Sequence, residues 1–286
     1  MTSIALANGK GGVGKTSLSI SLAISLAEHG HSTLLVDADL GLANIDLILA
    51  LKPQNTLRHV VRDGVALSEV VLPGPEGVDV ITGGSGVKEL VGLTKEQVDG
   101  LVGKLNSFGA KYDFVVYDTA SGLDETAMGF LRGSKHVLIV ATPDPTSVMD
   151  AYASAKILFA EKPGADVSLI VNLAESAEQG GTVYERFKTI VGQFLNKEVA
   201  LAGIVPFDPA VAKAVRSREA FILMAPKCKA AQSIDKLAEW LTRDVQPVEE
   251  PDPKVSVLQR MRSVFAVFKK SEKEEVPEAE VTEEAA

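Results

Sequence analysis

The 286-residue chain predicts an α/β fold, a doubly wound and mostly parallel sheet with helices on both faces. Three observations carry that prediction. A glycine loop at residues 9–16 separates an apolar run, Ile4-Ala5-Leu6-Ala7, from a helix-like segment with Leu18, Ile20, Leu22, Ile24 and Leu26. Two further β-rich runs, Ser32 to Asp37 and Tyr112 to Asp118, end in an acid, as buried parallel strands do when their carboxyl ends open on a ligand crevice. Helical spacing falls between such runs, as over Thr94 to Asn106, where Thr94 reads as N-cap and Gln97 as its capping-box partner.

At 46% hydrophobic and 23% charged residues, the chain can fill the core of one large domain. Cys228 is the single cysteine, which excludes an intrachain disulfide and a CxxC metal or cluster site and fits a reducing cytosol. His29, His31, His59 and His136 are scattered without ligand spacing, so surface or loop positions are expected in place of a zinc site. With no basic leader and no apolar run of membrane-spanning length, the expectation is a cytoplasmic chain, soluble or peripherally bound. The net charge of −9 argues against attachment to nucleic acid through the overall field.

The first strand leads into Gly9-Lys10-Gly11-Gly12-Val13-Gly14-Lys15-Thr16, which fits GxxxxGK(S/T) in the strand-loop-helix context that a P-loop needs. Gly9, Gly11, Gly12 and Gly14 let the backbone turn tightly and aim N–H groups at phosphate oxygens, and the cradle is read as Gly9 through Ser17, Val13 included. The helix starting near Lys15 adds the positive end of its dipole. Lys15 can neutralise the β and γ phosphates, and the Thr16 hydroxyl is placed to ligate Mg²⁺. The same letters contain Gly9-x-Gly11-x-x-Gly14, with Asp37 near the distance of a ribose-binding acid. That dinucleotide reading leaves Lys10 and Lys15-Thr16 without a role; a glycine-rich turn without a ligand is the remaining alternative.

Asp37 and Asp39 close the second strand at the crevice. Asp39 is the candidate for positioning the attacking water and Asp37 for supporting Mg²⁺ through water, unless one of them caps a helix beginning near Gly41. Residues 56–72 read as short helices on the sheet's edge, and Val78 to Thr82 as a strand. Gly83-Gly84-Ser85-Gly86 is then a flexible turn, since no lysine or Ser/Thr pair follows it in P-loop register. Asp118 ends the next central strand as the Walker B residue, holding Mg²⁺ through a water.

Val137 to Ala141 is another central strand, after which Pro143 and Pro145 stiffen the turn into a helix over 146–161. Val167 to Val171 presents Asn172 at its carboxyl end, where an amide can pair with both the donor and acceptor edges of adenine or simply form a turn. Leu201 to Val205 is the last core strand, and Pro206, Phe207 and Asp208 would line the purine's other side. Helices from about 208 to 217 and 230 to 243 close the domain, with Trp240 as a packing residue. Lys213, Arg216, Arg218, Lys227 and Lys229 are interspersed with apolar residues, which favours a solvated face over a DNA patch.

Composition then shifts. The ATPase-type domain ends near 245, residues 246–253 form a stiff Pro/acidic linker, and residues 271–286 make a disordered acidic tail. Between them, 254–270 is amphipathic: Val257, Leu258, Met261, Val264, Phe265 and Phe268 share an arc of about 120° with Arg260, Arg262, Lys269 and Lys270 on or beyond its edges. Such a helix suits an anionic lipid surface, with the protein's own surface or a partner groove as alternatives.

Lys10 within GKGGVGKT resembles the deviant Walker A motif of the MinD/ParA ATPases. Asp37 to Asp46 resembles the first switch of the MinD group, and Asp118-Thr-Ala-Ser-Gly122 its second switch, with Ser121 in place of the usual alanine. Thr142 to Tyr152 resembles the flagellar-number regulator (FlhG/FleN) branch. The resemblance spans residues 1–245 and implies ATP and Mg²⁺ as ligands and an ATP-dependent homodimer. It implies that Lys10 reaches the ATP of the other subunit, that Asp39 is needed for hydrolysis with Asn44 close to the water, and that Asn172 supports base recognition. Lys10, Lys15 and Asp39 form the catalytic set. The segment 254–270 resembles the membrane-targeting helix of MinD proteins, which implies reversible attachment to the inner face of the cell membrane. The partners implied by the branch are a signal-recognition-type GTPase and flagellar switch or regulatory proteins; the extension that stimulates the GTPase in many members does not precede the first strand here.

The implied function is an ATP-hydrolysing switch that regulates flagellar number or placement, with a DNA- or cargo-partition ATPase and a division-site regulator as alternatives. The acidic balance counts against specific DNA binding. An amidase of the cobyrinic-acid type would need a nucleophilic Cys with a matched His, and an iron-sulfur carrier would need paired cysteines.

Overall fold

The computed structural model describes residues 1–84 and 93–243. Among them, eight strands form one sheet: β1 (Thr2–Ala7), β2 (Thr33–Ala38), β3 (Val71–Pro73), β4 (Asp79–Ile81), β5 (Phe114–Thr119), β6 (His136–Ala141), β7 (Asp166–Ala174) and β8 (Ala200–Pro206). Their order is β3-β4-β2-β5-β1-β6-β7-β8, parallel throughout except for β3 against β4. The doubly wound, mostly parallel sheet expected from sequence is therefore what the chain forms.

β1 sits between β5 and β6, so its carboxyl end opens on the crevice where the order of connections reverses. Its side chains alternate between two cores. Ile4 and Leu6 pack with α1 (Lys15–Glu28), while Ala5 and Ala7 face the other cluster, which holds Phe130 and Leu158. Each fully buried Leu or Ile contributes about 1.5–3 kcal/mol, so both faces are pinned.

The remaining helices follow: α2 (Ile45–Ile48), α3 (Leu57–Asp63), α4 (Lys95–Gly109), α5 (Glu125–Gly133), α6 (Pro145–Glu161), α7 (Ala177–Leu195), α8 (Pro209–Ser217), α9 (Phe221–Met224) and α10 (Lys229–Thr242). Thr94 caps α4 as anticipated, its Oγ1 accepting from Gln97 N at 3.4 Å while Thr94 N donates to Gln97 Oε1 at 2.9 Å. α4 and α5 approach closely because Gly129 and Gly133 meet Val98 and Val102, whose Cγ1 atoms would collide with a Cβ at either glycine. Arg132 ties the same pair together, donating to Asp99 at 3.0 Å and to Glu125, and reaches Glu161 of α6 at 2.7 Å.

Several sequence expectations are corrected. Residues 71–73 are an antiparallel edge strand, not part of a helical run, because Val71↔Ile81 pairing satisfies their backbone. No helix starts near Gly41; the turn extends to Asn44 and α2 begins at Ile45. Asn172 and Pro206 lie within strands whose pairing extends further than their apolar runs, while Asp118 stands in β5 as expected. His136 is a buried strand residue, with Nδ1 2.7 Å from Asp166 Oδ2 and its ring edge-on to Trp240, and His31 is buried against Phe114. Chain folding also brings His29, Asp235 and Glu239 within 4.8 Å of one another, a proximity that sequence spacing could not reveal.

Trp240 packs into the α1 core as expected, and Lys213, Arg216, Arg218, Lys227 and Lys229 are exposed. No helix among the described residues is long and apolar enough to cross a membrane. Ser85 and Gly86 of the glycine turn, the 246–253 linker, the amphipathic 254–270 segment and the 271–286 tail lie outside the described residues.

Candidate functional site

The site begins where β1 stops. Asn8, buried at the strand's end, donates its amide to the Val140 carbonyl of β6 and accepts from Lys10 N, while Thr119 Oγ1 donates to the Leu6 carbonyl at 2.6 Å. The first turn of the glycine loop is thereby fastened to the strands on both sides of β1. Gly12 and Gly14 take φ of 82° and 90°, the left-handed region that only glycine enters freely. Val13 between them is buried, which anchors the loop in the core, and Leu18 N donates to Gly14 O at 3.0 Å to start α1. A turn of this kind presents successive N–H groups at a helix N-terminus, the form of an anion cradle.

Lys15 is 6% exposed and donates to Ser121 Oγ at 3.0 Å. Burial lowers its pKa, and the nearby Asp118 and Asp39 partly restore it. Asp37 and Asp118 are direct register partners on β2 and β5, both buried. Desolvation first, and then the charge of Asp118, raises Asp37 well above the ordinary carboxylate range. Asp118 is pushed up to about 6 by burial, against hydrogen bonds from Thr16 and Ser19, with Ser19 Oγ donating at 3.0 Å. Two crowded buried acids beside a hydroxyl fit a divalent cation, because such a charge relieves the strain that raises both pKa values.

The first-switch acids are each held by backbone. Asp37 Oδ2 accepts from Asn44 N at 2.9 Å and Ile45 N at 3.1 Å, and Oδ1 accepts from Asp39 N at 3.2 Å. The capping alternative thus describes Asp37, although the helix it caps is α2. Asp39 Oδ1 accepts from Leu42 N at 2.9 Å and Gly41 N at 3.3 Å, and Asn44 Nδ2 donates to Leu42 O at 2.5 Å.

Lys10 stands apart from this buried group. Its Nζ lies 2.7 Å from both Asp144 Oδ2 and Thr146 Oγ1 at the start of α6, on the chain's own surface, with 41% of the side chain exposed. The Lys10 hydrogen bond, then those from Thr146, hold the Asp144 carboxyl down at about 2.

On the purine side expected from sequence, Asn172 Nδ2 donates to the Val13 carbonyl at 2.8 Å, so it touches the loop itself. Phe207 is 61% exposed, and its N donates to Ala174 O at 2.8 Å. Asp208 caps α8 through Ala210 N at 3.0 Å and accepts from Lys229 N at 3.1 Å, while Pro206 ends β8. Ser17 turns toward a crevice lined by Ile48, Val215 and Phe221. A larger cavity of about 740 Å³ lies near Asp166 and Ala200, at the opposite ends of β7 and β8, so volume alone does not locate this site.

Asn8 and Ser19 were missed from sequence. The only signal was position, a polar residue at a strand's end and a serine one turn into α1 on the crevice side.

The raised Asp118 pKa makes a testable statement about stability. The folded chain holds this proton more tightly than the unfolded chain, so stability is lost as pH climbs from the ordinary value near 3.8 through about 6. Asp118→Asn, which has no charge to desolvate, is expected to stabilise the nucleotide-free protein at pH 8 by about 1–3 kcal/mol while weakening Mg²⁺-dependent nucleotide binding. Thermal melts at pH 8 and pH 5 check this: the gain should shrink at the lower pH.

Comparison with known proteins adds to this geometry. The AAA domain family matches residues 1–153. The chain is 36% identical to the antiactivator FleN of Pseudomonas aeruginosa over 82% of this chain and 84% of that protein. It is 34% identical to the flagellum site-determining protein YlxH of Helicobacter pylori, covering 85% and 82% of the two chains. The solved structure of the septum site-determining protein MinD from Pyrococcus horikoshii OT3, complexed with Mg-ADP, superposes with a TM-score of 0.71 at 25% identity, covering 84% of this chain and 95% of that one.

Proposed function

Since the chain belongs to the MinD/ParA family of AAA-domain P-loop ATPases, with flagellar-number regulators among its relatives, we propose that it is an ATP-hydrolysing switch that pairs on ATP and regulates flagellar number or placement. The observation that carries this reading is the division of labour between two lysines of one loop. Lys15 is buried beside Asp118, where it can serve only the phosphates of its own site; Lys10 is on the outer rim, within reach of a second molecule.

In this mechanism the loop N–H groups and Lys15 hold the triphosphate, and Thr16 and Asp118 would hold Mg²⁺. When bound, Mg²⁺ neutralises charge on the phosphoryl group being transferred. Asp39 orients the attacking water with the carboxylate oxygen that its turn leaves free. Asp37, fixed to the backbone of Asn44 and Ile45, joins the metal's neighbourhood to the first switch. Asn172 contributes its carbonyl and second N–H to the base, and Phe207 with Pro206 and Asp208 borders it. Pairing moves Lys10 from Asp144 and Thr146 to the partner's nucleotide.

Light scattering of the full chain with and without Mg-ATP tests the reading. The expected result is a doubling of mass with ATP, and retained nucleotide binding without doubling for Lys10→Ala. An unchanged mass in a preparation that holds nucleotide would refute it.

The likeness to the flagellum site-determining protein YlxH supports the branch. The remaining features are part of the same proposal: a domain ending near 245, a cytoplasmic protein that visits the inner membrane face through 254–270, and partners of the signal-recognition-type GTPase and flagellar switch classes. One amphipathic helix binds lipid marginally, and two presented by a dimer bind by avidity. Phe265→Glu is therefore expected to abolish ATP-dependent sedimentation with anionic liposomes; unchanged sedimentation would assign the segment to a protein partner.

A further inference from the structure

β7 contains an irregularity that its side-chain packing does not explain. Leu173, next to last in the parallel strand β7, has φ 59°, a left-handed backbone that non-glycine residues rarely adopt, while 37% of its surface remains exposed. The pairing with β8 shifts register at this point, between Asn172 opposite Val205 and Ala174 opposite Pro206. The Ala174 carbonyl is then taken by Phe207 N at 2.8 Å, which pins the bulge from the far side. A bulge re-aims the neighbouring side chain, and here that side chain is Asn172.

Asn172 is 5% exposed, and its Nδ2 donates to the Val13 carbonyl at 2.8 Å. The same nitrogen lies 2.5 Å from where a Cβ on Gly14 would stand, so the amide is seated directly on the glycine loop. A trans peptide plane points its carbonyl and its N–H in opposite directions. Holding the Val13 carbonyl against β7 therefore turns the Gly14 N–H away from β7, which leaves it free to serve as one of the loop donors that the nucleotide reading assigns to phosphate.

We propose that Asn172 is a positioning residue for the phosphate cradle, held in place by the left-handed bulge at Leu173. The inference rests on the nucleotide reading above and deepens it: the asparagine on the base side of the site also orients a donor on the phosphate side. Purine recognition and phosphate binding are then coupled through one carboxamide. Leu173 acts through its backbone, so its side chain is dispensable while its φ is not.

Calorimetric titration of the full chain with Mg-ATP and, separately, with inorganic tripolyphosphate, which has no base, tests this. Asn172→Ala is expected to weaken both ligands at least tenfold. Leu173→Gly, free to adopt a positive φ, should bind both as the unmodified chain does, whereas β-branched Leu173→Val should lose both as Asn172→Ala does; circular dichroism identifies variants that are folded. If Asn172→Ala weakens ATP but leaves tripolyphosphate unchanged, the asparagine serves the base alone and the proposal fails. A folded Leu173→Gly that loses tripolyphosphate would overturn the role of the bulge. An unmodified chain that binds neither ligand would remove the nucleotide reading and this inference with it.

Discussion

Lys15→Ala is expected to lower ATP affinity by roughly a hundredfold or more. The lysine is 6% exposed and sits amid the fields of Asp118 and Asp39, with Ser121 Oγ 3.0 Å from its ammonium. Removing it leaves two buried acids, Asp37 and Asp118, facing an incoming polyphosphate without the nearest cation. Breaking one side of a buried charge pair costs about 3–5 kcal/mol, which is a factor of roughly 10² to 4 × 10³ in affinity. Fluorescent-ATP titration measures it directly. An affinity within threefold of the unmodified chain would show that the glycine loop's N–H groups hold the triphosphate without this charge.

Asp39→Ala should act on turnover and spare binding. Its Oδ1 is fixed by the N–H groups of Gly41 and Leu42, so the carboxylate has a defined orientation and a second oxygen to present to water. A group that orients the nucleophile and receives its proton contributes about 10² to 10⁴ in rate. Phosphate release is expected to fall by about that factor while Mg-ATP still binds and the paired form accumulates in light scattering. Normal phosphate release would take Asp39 out of the mechanism.

What the sequence disclosed and what it concealed divide along a physical line. The glycine loop, the buried strands with their acids and the Thr94–Gln97 cap depend on neighbours a few residues away, and they are where local chemistry placed them. The contacts that assemble the site join residues 99 to 159 positions apart: Ser19 with Asp118, Lys15 with Ser121, Lys10 with Asp144, and Asn172 with Val13. No periodicity reports such pairs. The edge strand at 71–73 was hidden for another reason, since its backbone is organised by β4 and its three residues carry too little pattern to be read. Leu173 was the hardest to foresee, because leucine has no preference for the backbone it adopts there.

The tie between Lys10 and Asp144 bears on how sharply such a protein could report its own abundance. Under the proposed pairing the ammonium must leave an internal ion pair and a hydroxyl contact before it meets a twin, so its net contribution is smaller than the new contacts alone would give. That cost raises the concentration at which two copies would associate and so ties the proposed pairing to dose, as a regulator that limits how many organelles are built would require.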